Sequence, residues 1–288
     1  MQSVRRVALA GICVVLAAIS VSLYGGQFTP SLQSGSVRFA AIGDMGTGER
    51  PQYELAARME TFRRTFPFDF VITLGDNIYG GSDASDYRTK FELPYKPLLD
   101  AGVTFHASLG NHDSPSQSLY KPFNMNGQQY YTFKKGNVQF FALDSSYMRP
   151  KELSWLETEL KRSTADWKIA YFHHPLYSSG AFHGSATELR GILEPLFVTY
   201  GVQVVFAGHE HSYERVKPQQ GITYFVEGAS GQLRKGDLRE RSALTAVGYD
   251  QDLSFMLIEI ADDAFHFQTV SRTGQTVDSG VILRSAIE

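Results

Sequence analysis

Cysteine is almost missing from this chain: of 288 residues, only Cys13 carries a thiol. It lies in an N-terminal apolar run, so the rest of the chain can form no internal disulfide and no thiolate metal site. Any metal held here must sit among oxygen and nitrogen donors. An excess of one charge is missing too. Lys and Arg number 27 against 30 Asp and Glu, a formal net charge of -3 with a pI near 6.2. Binding a duplex requires many Lys and Arg contacts to phosphate, so no nucleic acid is expected as the main partner. Residues 37–288 contain no internal repeat, no low-complexity tract and no Pro/Gly-rich linker, so nothing marks a second domain. With 43% hydrophobic and 20% charged residues, a single catalytic domain over 37–288 is the expectation.

The one long hydrophobic stretch is N-terminal. Arg5 and Arg6 precede an unbroken apolar or small run from Val7 to Leu23, followed by the turn-rich Gly25-Gly26-Gln27. Residues 1–26 read as a signal peptide with a small-residue cleavage site at Ser20-Val21-Ser22, or as an uncleaved signal anchor through residues 7–23. Residues 27–36 then form a polar linker. Either way the domain is exported, secreted or periplasmic if cleaved and membrane-anchored if not. Ile12 is too bulky for the small residue a lipidation motif needs before Cys13.

Short β-branched and aromatic runs at 37–42, 70–74, 103–109, 138–143, 169–172 and 202–207 read as strands buried on both faces of an interior sheet. Between them, 51–64, 86–99, 151–162 and 187–200 have helical spacing, with Pro195 expected to kink or split the last. From Ile222 the pattern turns to strands at 222–226, 255–260, 265–270 and 277–283, which predict a second, more antiparallel sheet behind or beside the first. This is a layered α/β fold.

Five short motifs carry the chemistry: Gly43-Asp44-Met45-Gly46, Gly75-Asp76-Asn77-Ile78-Tyr79, Gly110-Asn111-His112-Asp113, His173-His174-Pro175 and Gly208-His209-Glu210-His211. Each follows a strand candidate, and in α/β sheets the loops at the carboxyl ends of strands converge on one edge. Gly208-His209-Glu210-His211 is the most specific, since two His one residue apart after a buried strand have few structural reasons to be there, whereas each of the others alone has an ordinary explanation. Gly-Asp is a common turn, Asn111 suits an Asx-turn, His112 a surface histidine, Tyr79 a core aromatic and His173-His174-Pro175 a strand terminus. Independent turns would not supply Asp, Asp, Asn, His and His-x-His at successive strand ends, so the set predicts a metal site. Asp and His suit iron, zinc or manganese, and a carboxylate can bridge two ions about 3.5 to 4 Å apart. Asp76, central in the series, is the candidate bridge.

The ordered motifs resemble the calcineurin-like metallophosphoesterases, and within them the small, tartrate-resistant type of purple acid phosphatase. The resemblance covers about residues 37–215 by motif and the rest by architecture. It implies a four-layer α/β/β/α sandwich of two mixed sheets. Gly46 stands where a histidine ligand is often found, and Tyr79 occupies the position at which the purple branch places a tyrosinate on ferric iron. Carried over, the resemblance implies that Asp44, Asp76, Tyr79 and His211 hold Fe(III). Asp76, Asn111, His173 and His209 would then hold a second, divalent ion of iron, zinc or manganese. His112 and His183 match the family's substrate-contacting, catalytic histidines, with Asn111 also on the substrate; His183 lies one residue further from His173 than in the relatives compared. His174 is a candidate supporting residue. His106, in a buried strand, is expected to be structural, and His266, alternating with Phe265 and Phe267, to face solvent.

The function implied is a di-metal acid phosphatase that hydrolyses phosphate monoesters by attack of a metal-bound hydroxide on phosphorus. Small-molecule phosphate esters would be its partners. The segments from Tyr147 to Pro150 and from Ser178 to Gly184 would line the pocket. A phosphodiesterase or nucleotide pyrophosphohydrolase using the same metal pair is the alternative. A non-catalytic exported metal-binding protein is disfavoured because no expected ligand is missing.

Overall fold

The computed structural model describes residues 32–239 and 241–284. The apolar run at 7–23 lies outside them. Among the described residues no helix is long and apolar enough to cross a membrane.

In chain order the regular elements are β1 (Val37–Ile42), α1 (Arg50–Arg63), β2 (Phe70–Leu74), α2 (Ala84–Tyr87), α3 (Lys96–Asp100), β3 (Thr104–Ser108), β4 (Tyr131–Lys135), β5 (Val138–Ala142), α4 (Pro150–Arg162), β6 (Trp167–Tyr171), α5 (Thr187–Tyr200), β7 (Val204–Ala207), β8 (Tyr213–Val216), β9 (Thr223–Glu227), β10 (Thr245–Tyr249), β11 (Ser254–Ala261), β12 (Ala264–Ser271) and β13 (Thr276–Leu283). They form a six-stranded mixed sheet, ordered β13-β12-β11-β1-β2-β3, and a seven-stranded mixed sheet, ordered β10-β8-β9-β7-β6-β5-β4.

The strand pleat builds the layers. Along β5, Phe140 turns to the first sheet and meets Phe39 of β1 and Phe70 of β2 at ring distances of 5.2 and 5.4 Å. Its neighbour Phe141 joins the opposite cluster with Leu156 and Leu160 of α4 and Leu193 and Phe197 of α5. Successive residues face opposite sides of a strand, so the aromatic seam between the sheets and the helix-facing core follow from one alternation. On the outer face of the first sheet, Phe62 of α1 meets Phe255 of β11 at 5.9 Å. The order is thus helix, sheet, sheet, helices.

Three expectations need correction. The strands at 255–283 do not build the second sheet. They extend the first, with β11 antiparallel to β1 from Val37↔Ile260 to Ala41↔Met256, while β5, β6 and β7 belong to the other sheet. Burial patterns record that a strand is covered, not which strand lies beside it. The helix expected over 86–99 is broken into α2, a π-turn at Arg88–Glu92 and α3. Pro94 has no N–H to give the Lys90 carbonyl, and the side chain of Gln52 donates to that carbonyl instead, at 2.6 Å. Conversely, α5 runs unbroken through Pro195. Gly191, whose carbonyl loses its partner, and Pro195 are both on the exposed face, where water can take the bond.

Candidate metal centre

Strands β1, β2 and β3 of one sheet and β6 and β7 of the other end at the same edge, and the motif side chains meet there. Three of the residues leave their strands in the left-handed region: Asp44 at φ 53, Asp76 at φ 50 and His209 at φ 70. Such conformations cost on the order of 1–3 kcal/mol at a non-glycine residue and persist where the surroundings enforce them. The approach between strand ends is close enough to require glycine. A Cβ on Gly110 would collide with Asp76 Oδ1, and one on Gly208 with Asp44 Oδ2.

Two donor sets face each other. In the first, Tyr79 donates to Asp44 Oδ1 at 3.0 Å, and His211 Nε2 lies 3.4 Å from both oxygens. In the second, His173 Nε2 is surrounded by Asn111 Oδ1 at 2.9 Å, His209 Nδ1 at 3.1 Å and Asp76 Oδ1 at 3.5 Å. Asp76 stands between them, with one ligand oxygen within 4.8 Å of an Asp44 oxygen and of a His173 ring nitrogen. All seven side chains expected as ligands therefore lie together.

The second set is hard to satisfy by hydrogen bonds alone. His173 Nδ1 donates to the Leu74 carbonyl at 2.9 Å, and a carbonyl can only accept, so Nε2 of the neutral ring turns a lone pair to the centre. One lone pair cannot satisfy three heteroatoms at once. A cation at their common point would, and spacings of 2.9 to 3.5 Å are those of neighbouring ligands around an ion with bonds of about 2.1 Å.

Electrostatics point the same way. Asp44 and Asp76 are buried, and among the described residues no lysine or arginine pairs with either. Burial, then the neighbouring Asp76, pushes Asp44 well above the usual carboxylate range; burial raises Asp76 as well. Burial and the two carboxylates hold the Tyr79 phenol well above its ordinary value. The imidazoles move the other way: burial drives His173 far down, His211 to about 4 and His209 to about 2, the last helped by the surrounding rings. Burial thus favours neutral carboxyls and neutral imidazoles, and a bound cation would turn the carboxyls anionic while using the imidazole lone pairs already free.

The mouth is more open. His112 and His183 are exposed; the His112 ring lies 5.0 Å from that of Tyr79, and His183 stacks on His209 at 3.9 Å. His174 accompanies His173 and His209, with one ring nitrogen within 4.8 Å of theirs, and its Nδ1 is 2.9 Å from Ser145 Oγ. His106 stacks on Phe133 at 4.0 Å, and burial lowers it to about 4. His266 is half-buried between the buried Phe265 and Phe267.

Four supporting residues were not singled out by sequence. The Asp113 carboxylate accepts from the amides of Asn77, Ile78 and Gly110 at 2.8, 3.1 and 2.9 Å, and from Asn77 Nδ2 at 2.8 Å. It thereby ties the Asp76 loop to the Asn111 loop. Glu210 accepts from the amides of His183 and Gly184. Both carboxylates lie inside quoted motifs, and that membership was the only signal. Asp237 and Arg234, which also hold the His183 loop, lie in a stretch without any.

Residues 37–213 match the calcineurin-like phosphoesterase family. The chain is 28% identical over 249 residues to the tartrate-resistant acid phosphatase type 5 of Mus musculus, covering 72% of this chain and 74% of that one. It is also 28% identical to purple acid phosphatase 17 of Arabidopsis thaliana, covering 73% and 72%. In fold it is similar to a purple acid phosphatase from yellow lupin seeds, with a TM-score of 0.74 and 20% identity over 88% of this chain and 55% of that one. The anchor in the inner membrane complex of Plasmodium has the same TM-score, with 19% identity over 88% and 90%. With more than half its length matched, and oxygen and nitrogen donors gathered at the strand ends, this chain belongs to the calcineurin-like phosphoesterases.

Proposed function

We propose that this protein is a two-metal acid phosphatase acting on phosphate monoesters. The observation that carries this reading is the pair of donor sets facing each other across Asp76. In it, Asp44, Tyr79 and His211 would hold one ion, Asn111, His173 and His209 the other, and Asp76 would contribute to both. Phenol and carboxylate oxygens are hard donors suited to Fe(III), whereas two imidazoles and an amide suit a divalent iron, zinc or manganese. Bound together, the two ions would neutralise phosphate charge and acidify a water so that a nucleophile exists at low pH.

The protein side of the reaction rests on positioning. The amide of His209 donates to Asp44 Oδ2 at 2.8 Å and that of His112 to Asp76 Oδ1 at 2.9 Å, which leaves each carboxylate fixed in one orientation. The Leu74 carbonyl fixes the tautomer of His173. Asn111, His112 and His183 border the open side, where a phosphoryl group would arrive. There His112 and His183 steady its oxygens, and one of them protonates the leaving oxygen. Residues 37–288 act as one catalytic domain, and the N-terminal segment exports it.

The test combines elemental analysis of purified protein with turnover of phenyl phosphate and of bis-phenyl phosphate at acid and neutral pH. Two metals per chain and preferential monoester hydrolysis at acid pH are expected. Preference for the diester would move the protein to the phosphodiesterases. Full activity in Asp76→Ala would overturn the two-metal reading.

A further inference from the structure

Phe182 is an exposed aromatic ring on a backbone that is pinned throughout. It is 65% exposed, yet four successive amides around it are tied down. Ala181 donates to the Asp237 carbonyl at 2.8 Å, Phe182 to Asp237 Oδ1 at 3.0 Å, His183 to Glu210 Oε1 at 3.1 Å and Gly184 to the same oxygen. Glu210 and Asp237 are buried. The main chain that carries the ring is therefore fixed at the rim.

Its orientation is fixed as well. The Arg234 guanidinium lies over one face, 3.9 Å from the centroid, the side of a ring that a cation prefers. Arg234 is held in turn by its amide, which donates to the His211 carbonyl at 2.9 Å. Phe182 meets the His183 ring edge-on at 4.5 Å, and His183 stacks on His209 at 3.9 Å. Rings run in contact from a proposed metal ligand to the rim. Arg234 covers one face and His183 makes a single T-shaped contact, and the residue is still 65% exposed, so much of the ring stays open to solvent.

We propose that Phe182 is a specificity-determining residue whose free face stacks a planar aromatic ring in the leaving group of the substrate. This rests on the phosphatase reading above. In-line displacement sends the leaving group away from the attacking oxygen, toward the open side that His112, His183 and Phe182 border. The ring would sit directly on the ester oxygen in a phenolic ester, or beyond a sugar in a nucleotide. Rigid aromatic platforms suit this task because stacking is gained without ordering a loop at the moment of binding.

The experiment compares wild type, Phe182→Leu and Phe182→Tyr on phenyl phosphate, adenosine 5′-monophosphate and glycerol 3-phosphate, with calorimetric binding of phenylphosphonate and methylphosphonate beside it. In Phe182→Leu, kcat/KM for a ring-bearing ester relative to glycerol 3-phosphate should fall roughly three- to ten-fold, the range of an aromatic pair. The loss should appear in KM, and phenylphosphonate should lose the same factor against methylphosphonate. Phe182→Tyr, which keeps the ring, should restore both ratios. Loss confined to phenyl phosphate assigns the ledge to phenolic esters, and loss confined to the nucleotide assigns it to nucleotides. Unchanged ratios in Phe182→Leu would overturn the proposal. Wild-type protein that turns over none of the three esters, while still preferring phenylphosphonate, would overturn the phosphatase reading alone.

Discussion

His173 Nε2 lies 2.9 Å from Asn111 Oδ1, with its opposite nitrogen already spent on the Leu74 carbonyl. That contact, together with His209 Nδ1 at 3.1 Å, leaves the floor of the site short of hydrogens and suited to a cation. Chelation should therefore lower the thermal midpoint, and added metal should restore it. At a free metal concentration a hundredfold above Kd the gain is about 2.7 kcal/mol, or roughly 5–10 °C for a domain of this size. Binding should also release protons, because burial keeps Asp44 and Asp76 protonated to higher pH than free carboxylates. Calorimetry in two buffers of different ionisation enthalpy reads that release. A midpoint indifferent to chelator would contradict the argument.

A second prediction concerns a residue that offers no side chain. Gly110 lies where a Cβ would collide with Asp76 Oδ1. Gly110→Ala must push the carboxylate off its position or move the strand end. Metal affinity and kcat should each fall about 10- to 100-fold, the range for residues that orient a ligand. Elemental analysis and turnover of Gly110→Ala beside Gly102→Ala make the comparison. Gly102 has open space at its Cβ position but a positive φ of 79, so its alanine variant reports backbone strain without a collision. Equal losses in the two variants would show that the collision with Asp76 was not responsible.

Tyr79 supplies a third. Its phenol, held well above its ordinary pKa by burial and the two carboxylates, can lose its proton only if a strong Lewis acid replaces it. With Fe(III) in the Asp44, Tyr79 and His211 set, purified protein should absorb in the visible through phenolate-to-iron charge transfer. Tyr79→Phe should lose that band while retaining the second donor set. A colourless, metal-loaded and active wild type would exclude ferric iron on Tyr79.

The gathering of the donors was legible because two local signals coincide at each position: a short buried strand, then a glycine turn carrying an oxygen or nitrogen donor. Parallel strands bring such ends to one edge without further information. The division into sheets was not legible. The eight residues of β11 are all buried, which marks a central strand but gives no sign that its neighbour is β1, more than 200 positions earlier in the chain. The two prolines, Pro94 and Pro195, look alike in sequence, and only the fold shows that Gln52 donates to the carbonyl stranded by the first while the second lies on an exposed helix face. Glu210 and Asp237 were missed for a related reason. Their task is to hold amides of the 181–184 loop, and no local spacing records a contact made across the fold.

The last prediction uses a buried acid away from the metal floor. Glu152, in the first turn of α4, is 1% exposed and accepts from the Asp144 amide at 2.8 Å. Burial, against the pull of that hydrogen bond, pushes it from 4.5 up to about 8. A carboxyl whose folded value is raised contributes stability that is complete below the unfolded value and lost as pH rises through the folded one. The wild-type thermal midpoint should therefore fall between pH 5 and pH 8.5, within the window set by 4.5 and about 8. Glu152→Gln keeps an oxygen for the Asp144 amide and cannot ionise. Its midpoint should match the wild type at pH 5 and exceed it at pH 8.5, by about 2–4 °C for each kcal/mol relieved. Parallel melting curves for the two proteins across that range would mean that Glu152 ionises freely in the folded state.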